Sequence, residues 1–124
     1  MNRVSIAEWN ELKPLTPAYA LVGNVDLVVM RWENEDQVSV LFGRCLHRGA
    51  LLADGHIRGK DLICGLHEWD YNYKTGISSY NPEEQLHRFS AWIEKGKVWV
   101  DEAEIVAWEV LNPQAYDRDA YQGL

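Results

Sequence analysis

The chain has 124 residues, of which 47% are hydrophobic and 25% are charged, values typical of one globular domain. No apolar run approaches the ~18 residues of a membrane-spanning helix, and the first twelve residues lack the apolar core of a signal peptide, so we expect a cytoplasmic protein. The net charge of −7 disfavours nucleic acid or an anionic membrane as partner and suits a basic patch on a partner protein.

The first part of the chain predicts the start of a strand over residues 3–6, one short helical segment and then further strands. Ser5 is followed three residues later by Glu8, a capping-box pattern that predicts a helical segment over residues 5–12. Runs of β-branched residues and an alternation of polar and apolar residues follow, and they lead the chain directly to Cys45. The strands predicted here are residues 18–22, 25–32 and 37–42.

Short strands also dominate the second part of the chain. Residues 103–110 are the exception, since they fit an amphipathic helix or an irregular segment that ends at Asn112 and Pro113. About nine or ten short strands with closely spaced turns favour an all-β fold, a sandwich or a small barrel. We expect one domain over residues 1–110 and a tail over 111–124. The later predicted strands are residues 56–58, 61–64, 69–73, 89–94 and 97–100.

Two cysteines, each followed by a histidine, stand out between residues 43 and 71. The pattern is Cys45-x-His47, sixteen further residues, and Cys64-x-x-His67. Two thiolates and two imidazoles are the ligand set of a [2Fe–2S] centre in which histidines replace two of the cysteines on one iron. Glycines flank both loops, and we expect them to adopt positive φ and to bring backbone N–H groups towards the sulfurs. Those glycines are Gly43, Gly49, Gly55 and Gly65.

Other uses of these four side chains remain open. Four nitrogen and sulfur ligands also suit tetrahedral zinc, although two Cys-x-His knuckles are unusual for a structural zinc site. A catalytic Cys–His pair would leave the second pair unexplained. A disulfide is disfavoured in a cytosolic chain. His56 and His87 are expected to be surface or packing residues.

The charge of a histidine-ligated cluster decides its redox chemistry. Two ferric ions, two sulfides, two thiolates and two neutral imidazoles sum to zero, and a four-cysteine cluster is two units more negative. Histidine ligation therefore makes reduction easier and raises the potential. The imidazole nitrogen that is not bound to iron can carry a proton, which predicts a pH-dependent potential.

The residues around the four ligands resemble those of the Rieske iron–sulfur family. Residues 45–50, Cys-Leu-His-Arg-Gly-Ala, are similar to the first family box, where proline is common in place of Leu46. Residues 64–71, Cys-Gly-Leu-His-Glu-Trp-Asp-Tyr, resemble the second box, with Trp69 as in ring-hydroxylating oxygenases. Residues 81–89 resemble the proline loop that covers the cluster.

The resemblance implies both a fold and a ligand assignment. The fold would consist of antiparallel β-sheets with a small cluster-binding subdomain, about residues 43–88, inserted in a larger base. The two cysteines would bind one iron, and the two histidines would bind the other. The residues expected to surround, shield or tune the cluster are Leu46, Arg48, Gly49, Gly65, Leu66, Trp69, Tyr71 and Pro82.

Departures from the family pattern indicate the subtype. High-potential respiratory members have a second pair of cysteines and a serine two residues after the second ligand histidine; here the chain has two cysteines in all and Trp69 at that position. The comparison implies a low potential, which Tyr71 would moderate by reaching a cysteine sulfur.

These features predict an electron carrier without catalytic residues of its own. The leading hypothesis is a ferredoxin that takes one electron from a reductase and feeds an oxygenase or another redox enzyme, with one [2Fe–2S] cluster per chain. The alternative is the N-terminal Rieske domain of a larger oxidoreductase, either an oxygenase or a glutamate-synthase-like flavin enzyme. A structural zinc module is the third possibility. Neither nucleic acid nor a membrane is an expected partner.

Overall fold

Antiparallel strands make up most of the regular secondary structure. The computed structural model describes residues 2–46, 50–64, 70–78 and 81–113. Within these ranges the chain forms ten strands, two short 3₁₀ turns (Trp9–Glu11 and Leu52–Asp54) and one helix. The elements are β1 Arg3–Glu8, β2 Ala18–Val22, β3 Val25–Arg31, β4 Val38–Phe42, β5 His56–Arg58, β6 Asp61–Ile63, β7 Asp70–Asn72, β8 Arg88–Phe89, β9 Ala91–Glu94, β10 Lys97–Asp101 and α1 Glu102–Leu111.

The strands form three antiparallel sheets, ordered β1-β10-β9, β2-β3-β4-β8 and β5-β6-β7. Strands β4 and β8 are neighbours in the second sheet, and Val40 pairs with Phe89. The chain between them, residues 43–87, leaves this sheet, builds the third sheet and returns. The all-β fold with an inserted subdomain is therefore confirmed, while the boundary at residue 110 stays a prediction.

Strand β3 connects the two hydrophobic cores of the molecule. Leu27 and Val29 contribute to a core between the first two sheets, whereas Val28 and Met30 contribute to a second core that contains both cysteines. All four side chains are fully buried. Burial on both faces explains why residues 27–30 of this strand are a continuous apolar run instead of an alternating one.

Two sequence-based predictions about secondary structure are wrong. The helical segment over residues 5–12 is strand β1 and then a 3₁₀ turn, because Ser5 pairs with Trp99 of β10 and this pairing outweighs the local capping signal. The predicted strand over residues 89–94 is two strands separated by Ser90. Strand β8 pairs with β4, whereas β9 pairs with β10.

Residues 103–110, for which the sequence left a helix and an irregular segment open, belong to the helix α1. The Asp101 carboxylate caps this helix and accepts a hydrogen bond of 3.0 Å from the Ala103 N–H. Ile105 is fully buried, and the Trp108 ring packs 5.1 Å from that of Phe42. Among the described residues, no helix combines the length and the apolar character that crossing a membrane requires.

Candidate metal centre

Both cysteines lie in the second hydrophobic core. Cys45 follows β4 by three residues, and Cys64 directly follows β6. Their exposed fractions are 2% and 0%, and they share the core with Leu52, Leu62 and Tyr71. Both thiols are free in the structure. Two thiols separated by eighteen residues along the chain are thus buried in one apolar environment.

The two predicted histidine ligands, His47 and His67, lie outside the described residues. The part of the chain that the structure describes contains no group of three or more His, Cys, Asp or Glu side chains able to hold a metal. Their assignment as ligands therefore stays a prediction. Arg48, Gly49, Gly65, Leu66 and Trp69, which were predicted to surround the cluster, also lie outside those residues.

The loop of Cys45 is closed by backbone hydrogen bonds. The Cys45 N–H donates to the Ala50 carbonyl at 2.8 Å, and the Leu52 N–H donates to the Gly43 carbonyl at 2.8 Å. Arg44 and Leu51 form an antiparallel bridge between these two bonds. These contacts bring the two ends of the loop, Cys45 and Ala50, close together.

Gly43 and Gly55 are required by close backbone approach. A Cβ atom on Gly43 would lie 2.6 Å from the Leu27 carbonyl carbon, and one on Gly55 would lie 2.1 Å from the Ile63 carbonyl oxygen. Neither glycine adopts positive φ, so that expectation is wrong for these two. Their role is to let the segment from β4 to β6 pack against neighbouring backbone. Gly49 and Gly65 lie outside the described residues.

Tyr71 lies against the sulfur of Cys45, as the sequence predicted. Its side chain is fully buried, and its hydroxyl lies 3.8 Å from Cys45 Sγ. The Leu46 N–H donates to the same hydroxyl oxygen at 3.3 Å. Burial raises the pKa of the Tyr71 hydroxyl, the Leu46 N–H opposes this shift, and Cys45 adds to it. The hydroxyl therefore keeps its proton and has it available for a thiolate.

An ion pair between Arg44, the residue before Cys45, and a buried carboxylate was not predicted from the sequence. The Asp26 carboxylate on β3 accepts a hydrogen bond of 2.6 Å from Arg44 Nε and one of 2.5 Å from the Tyr19 hydroxyl. Asp26 is only 3% exposed. The position of Asp26 between the apolar residues of β3 could have indicated such a pair, because a charged side chain is seldom buried without a partner.

Leu46 and Pro82, two further residues predicted to lie around the cluster, are both at the surface. Leu46 is 45% exposed although it directly follows the buried Cys45. Pro82 is exposed in a tight turn, in which the Glu84 N–H donates to the Asn81 carbonyl at 2.9 Å. Shielding of the cluster by these residues stays a prediction.

The described residues fit an iron–sulfur cluster. Two thiols buried in one core, with a hydroxyl donor at one sulfur, suit thiolate ligands, because a buried thiolate needs hydrogen-bond donors and metal to offset its charge. This arrangement on antiparallel sheets suits a metal centre with two thiolate ligands.

The family model of the Rieske [2Fe-2S] domain matches residues 2–107. The chain therefore belongs to the Rieske [2Fe–2S] family. It binds one [2Fe–2S] cluster per domain and transfers single electrons. No curated protein matches the chain.

Solved structures share the fold at low sequence identity. The ferredoxin of carbazole 1,9a-dioxygenase from Nocardioides aromaticivorans IC177 has a TM-score of 0.73 and 21% identity, with 82% of this chain and 98% of that chain covered. A protein assigned as the small subunit of an NADPH nitrite reductase has a TM-score of 0.69 and 14% identity, with 81% and 98% covered. A chain in the reduced complex between oxygenase and ferredoxin of carbazole 1,9a-dioxygenase has a TM-score of 0.69 and 21% identity, with 80% and 28% covered.

Proposed function

We propose that this chain is a ferredoxin that carries one electron from a reductase to an oxygenase. The observation that carries this proposal is the joint burial of Cys45 and Cys64 in one core, with the Tyr71 hydroxyl at the first sulfur, in a chain of the Rieske family. The dioxygenase ferredoxin that shares the fold is covered over 98% of its length. The fold match therefore extends over essentially that whole carrier protein.

Cys45 and Cys64 would hold one iron of the cluster, and His47 and His67 would hold the other. Bound there, the cluster supplies a centre that is formally neutral when oxidised and takes up a single electron. The chain itself has the task of burying the sulfurs and keeping the two loops in place. Leu52 and Leu62, both fully buried, exclude water from the cysteine side.

Tyr71 would set the electron affinity of the centre. Because its hydroxyl oxygen accepts from the Leu46 N–H, its proton is directed at Cys45 Sγ. A hydrogen bond to a thiolate is stronger when the centre carries more negative charge, so the contact stabilises the reduced state. The departures from the respiratory pattern still favour a low potential.

Electron exchange would take place at the surface next to Cys45. Leu46 is exposed there and offers an apolar contact to a partner protein. The net charge of −7 favours a partner with a basic docking surface and would raise the rate of encounter. We propose a cytoplasmic location on the basis of the sequence.

A domain of a larger oxidoreductase is the second candidate. This candidate is favoured by the likeness to the longer chain in the complex between oxygenase and ferredoxin. Only 28% of that chain is covered, so the same fold forms one part of a longer protein there. The likeness to a nitrite reductase small subunit favours a different final acceptor with the same carrier chemistry. A zinc module is disfavoured by the family match.

Spectroscopy of the purified protein tests the proposal. We expect a brown protein with about two iron and two sulfide per chain, and a Rieske-type EPR signal after reduction with dithionite. Pulsed EPR is expected to detect two coordinated nitrogens, one from each histidine. A colourless protein with stoichiometric zinc would overturn the proposal. The carrier role is then tested by reconstitution with a reductase and an oxygenase, in which turnover should depend on the chain.

A further inference from the structure

The Asp26 side chain is an unusual buried charge in the central sheet. Asp26 lies on β3, and its side chain is 4% exposed, while that of its partner Arg44 is 19% exposed. Arg44 Nε donates to Asp26 Oδ2 at 2.6 Å. Arg44 directly precedes Cys45, so the guanidinium that this carboxylate holds belongs to the residue next to a proposed cluster ligand.

Asp26 also holds the preceding residue through its backbone. The Gly43 N–H donates to the Asp26 carbonyl at 2.8 Å, and the missing side chain of Gly43 allows the close approach to β3. The other carboxylate oxygen accepts from the Tyr19 hydroxyl of β2 at 2.5 Å. Two consecutive residues before Cys45 are thus attached to one residue of the central sheet.

Stability alone is a poor reason for this arrangement. Removing two charges from water has a large desolvation cost, and apolar residues of similar volume often stabilise a protein equally well or better. A guanidinium–carboxylate contact differs from apolar packing in its direction, because it fixes distance and angle together. The pair is therefore suited to holding the start of the Cys45 loop in one position.

We propose that Asp26 is a positioning residue of the metal centre: through Arg44 and Gly43 it fixes the position of Cys45, and it neutralises the charge of Arg44, the residue directly before that ligand. This inference rests on the proposed function, in that it takes Cys45 as a cluster ligand. Asp26 acts through Arg44 and need not touch the cluster. It connects the base sheet to the inserted subdomain.

The substitution Asp26→Asn tests both parts of the role. An amide cannot neutralise the guanidinium, and an uncompensated positive charge favours the reduced, more negative centre, so the midpoint potential should rise. The weaker attachment of the loop should increase the rate of cluster loss to a chelator by about tenfold, the lower end of what outer-shell substitutions cost metal sites. If Asp26 only stabilised the fold, its substitution would not raise the midpoint potential of the cluster.

Two further variants separate charge from position. Asp26→Asn combined with Arg44→Gln removes both charges, so the potential should return towards the wild-type value while cluster loss remains fast. Arg44→Lys keeps the charge but loses the planar guanidinium, so cluster loss should rise several-fold at nearly constant potential. The second variant also keeps the inference testable if Asp26→Asn does not fold.

The matched control is Glu94→Gln, which makes the same change from carboxylate to amide at a surface pair. Glu94 and Arg3 lie 3.1 Å apart, with side chains 55% and 33% exposed. We expect wild-type potential, EPR spectrum and cluster retention. If Asp26→Asn and Arg44→Lys also keep wild-type values in a protein that holds its cluster, the inference is overturned and the proposed function stands. A wild-type chain without a [2Fe–2S] cluster would overturn both.

Discussion

The hydroxyl of Tyr71 lies 3.8 Å from the Sγ of Cys45, and both groups are buried. The Tyr71 oxygen accepts a hydrogen bond from the Leu46 N–H, so the hydroxyl proton is left to be donated to the sulfur when Cys45 is a thiolate. Burial raises the pKa of this hydroxyl, and the proton is therefore retained through the neutral range. A neutral donor is thus held against a ligand whose charge density increases on reduction.

The substitution Tyr71→Phe should lower the midpoint potential. It removes the donor and leaves the ring volume in place, so the reduced centre loses a hydrogen bond worth roughly 1 kcal/mol. For one electron this corresponds to about 40 mV. Protein-film voltammetry measures the shift. Tyr73→Phe is the matched control, because it makes the same change in the same core. Equal shifts in the two variants would show that the Cys45 contact has no special effect.

His67→Cys should lower the potential and change the EPR spectrum. A thiolate in place of a neutral imidazole adds negative charge to the centre. Four-cysteine clusters lie about 250 mV or more below clusters with two histidine ligands, so the exchange of one histidine should lower the potential by roughly 100 mV or more. Redox titration followed by EPR measures both effects. His87→Ala is the control, since His87 is exposed and outside both ligand loops. An unchanged spectrum in His67→Cys would mean that the ligand assignment is wrong.

Gly43→Ala should destabilise the protein by about 2–3 kcal/mol, because its Cβ would lie 2.6 Å from the backbone of Leu27 and the backbone must shift. Denaturant unfolding measures the free energy. Gly59→Asn is the comparison, since Gly59 has open space around it and asparagine tolerates its φ of +64°. Its effect should stay within about 0.5 kcal/mol. Similar values for the two variants would contradict the close-approach argument.

Leu46→Gln should slow electron delivery to the oxygenase by roughly five- to tenfold, the loss expected for truncating an apolar contact at the centre of a docking surface. The cluster spectrum and potential should stay unchanged, since the side chain is 45% exposed. Stopped-flow kinetics with the partner measures the rate. Leu21→Gln, a leucine of equal exposure on β2, serves as control. A normal rate in Leu46→Gln would place the docking surface elsewhere.

Asp101→Ala should lower the melting temperature at pH 7, and the difference from wild type should shrink as the pH falls below about 4. The Asn2 N–H donates to the Asp101 carboxylate at 3.0 Å and lowers its pKa, with further help from the Ala103 N–H. A carboxyl group with a lowered pKa in the folded state stabilises the fold above its unfolded pKa, and this contribution is lost as the group is protonated. Calorimetry across pH 3–7 measures the difference in melting temperature between the variant and the wild type. A difference that does not change with pH would exclude the charge of Asp101 as its cause.

Local sequence signals failed where a distant strand competed with them. The Ser5–Glu8 capping pattern predicts a helix, yet Ser5 pairs with Trp99 near the other end of the domain. Ser90 separates two strands that belong to different sheets, and nothing in the local pattern marks this change. Strand pairing is decided by packing on both sides of a strand, which a short window does not contain.

The sequence by itself determined the all-β class, the family resemblance and the Cys–His ligand hypothesis, because turn residues and ligand spacing are local features. Only the tertiary structure decided which residues meet across the chain. Tyr71 reaches Cys45 and Asp26 reaches Arg44 through contacts between separate strands and loops. Such contacts depend on how β3 and the inserted sheet pack, and packing is a property of the folded chain as a whole.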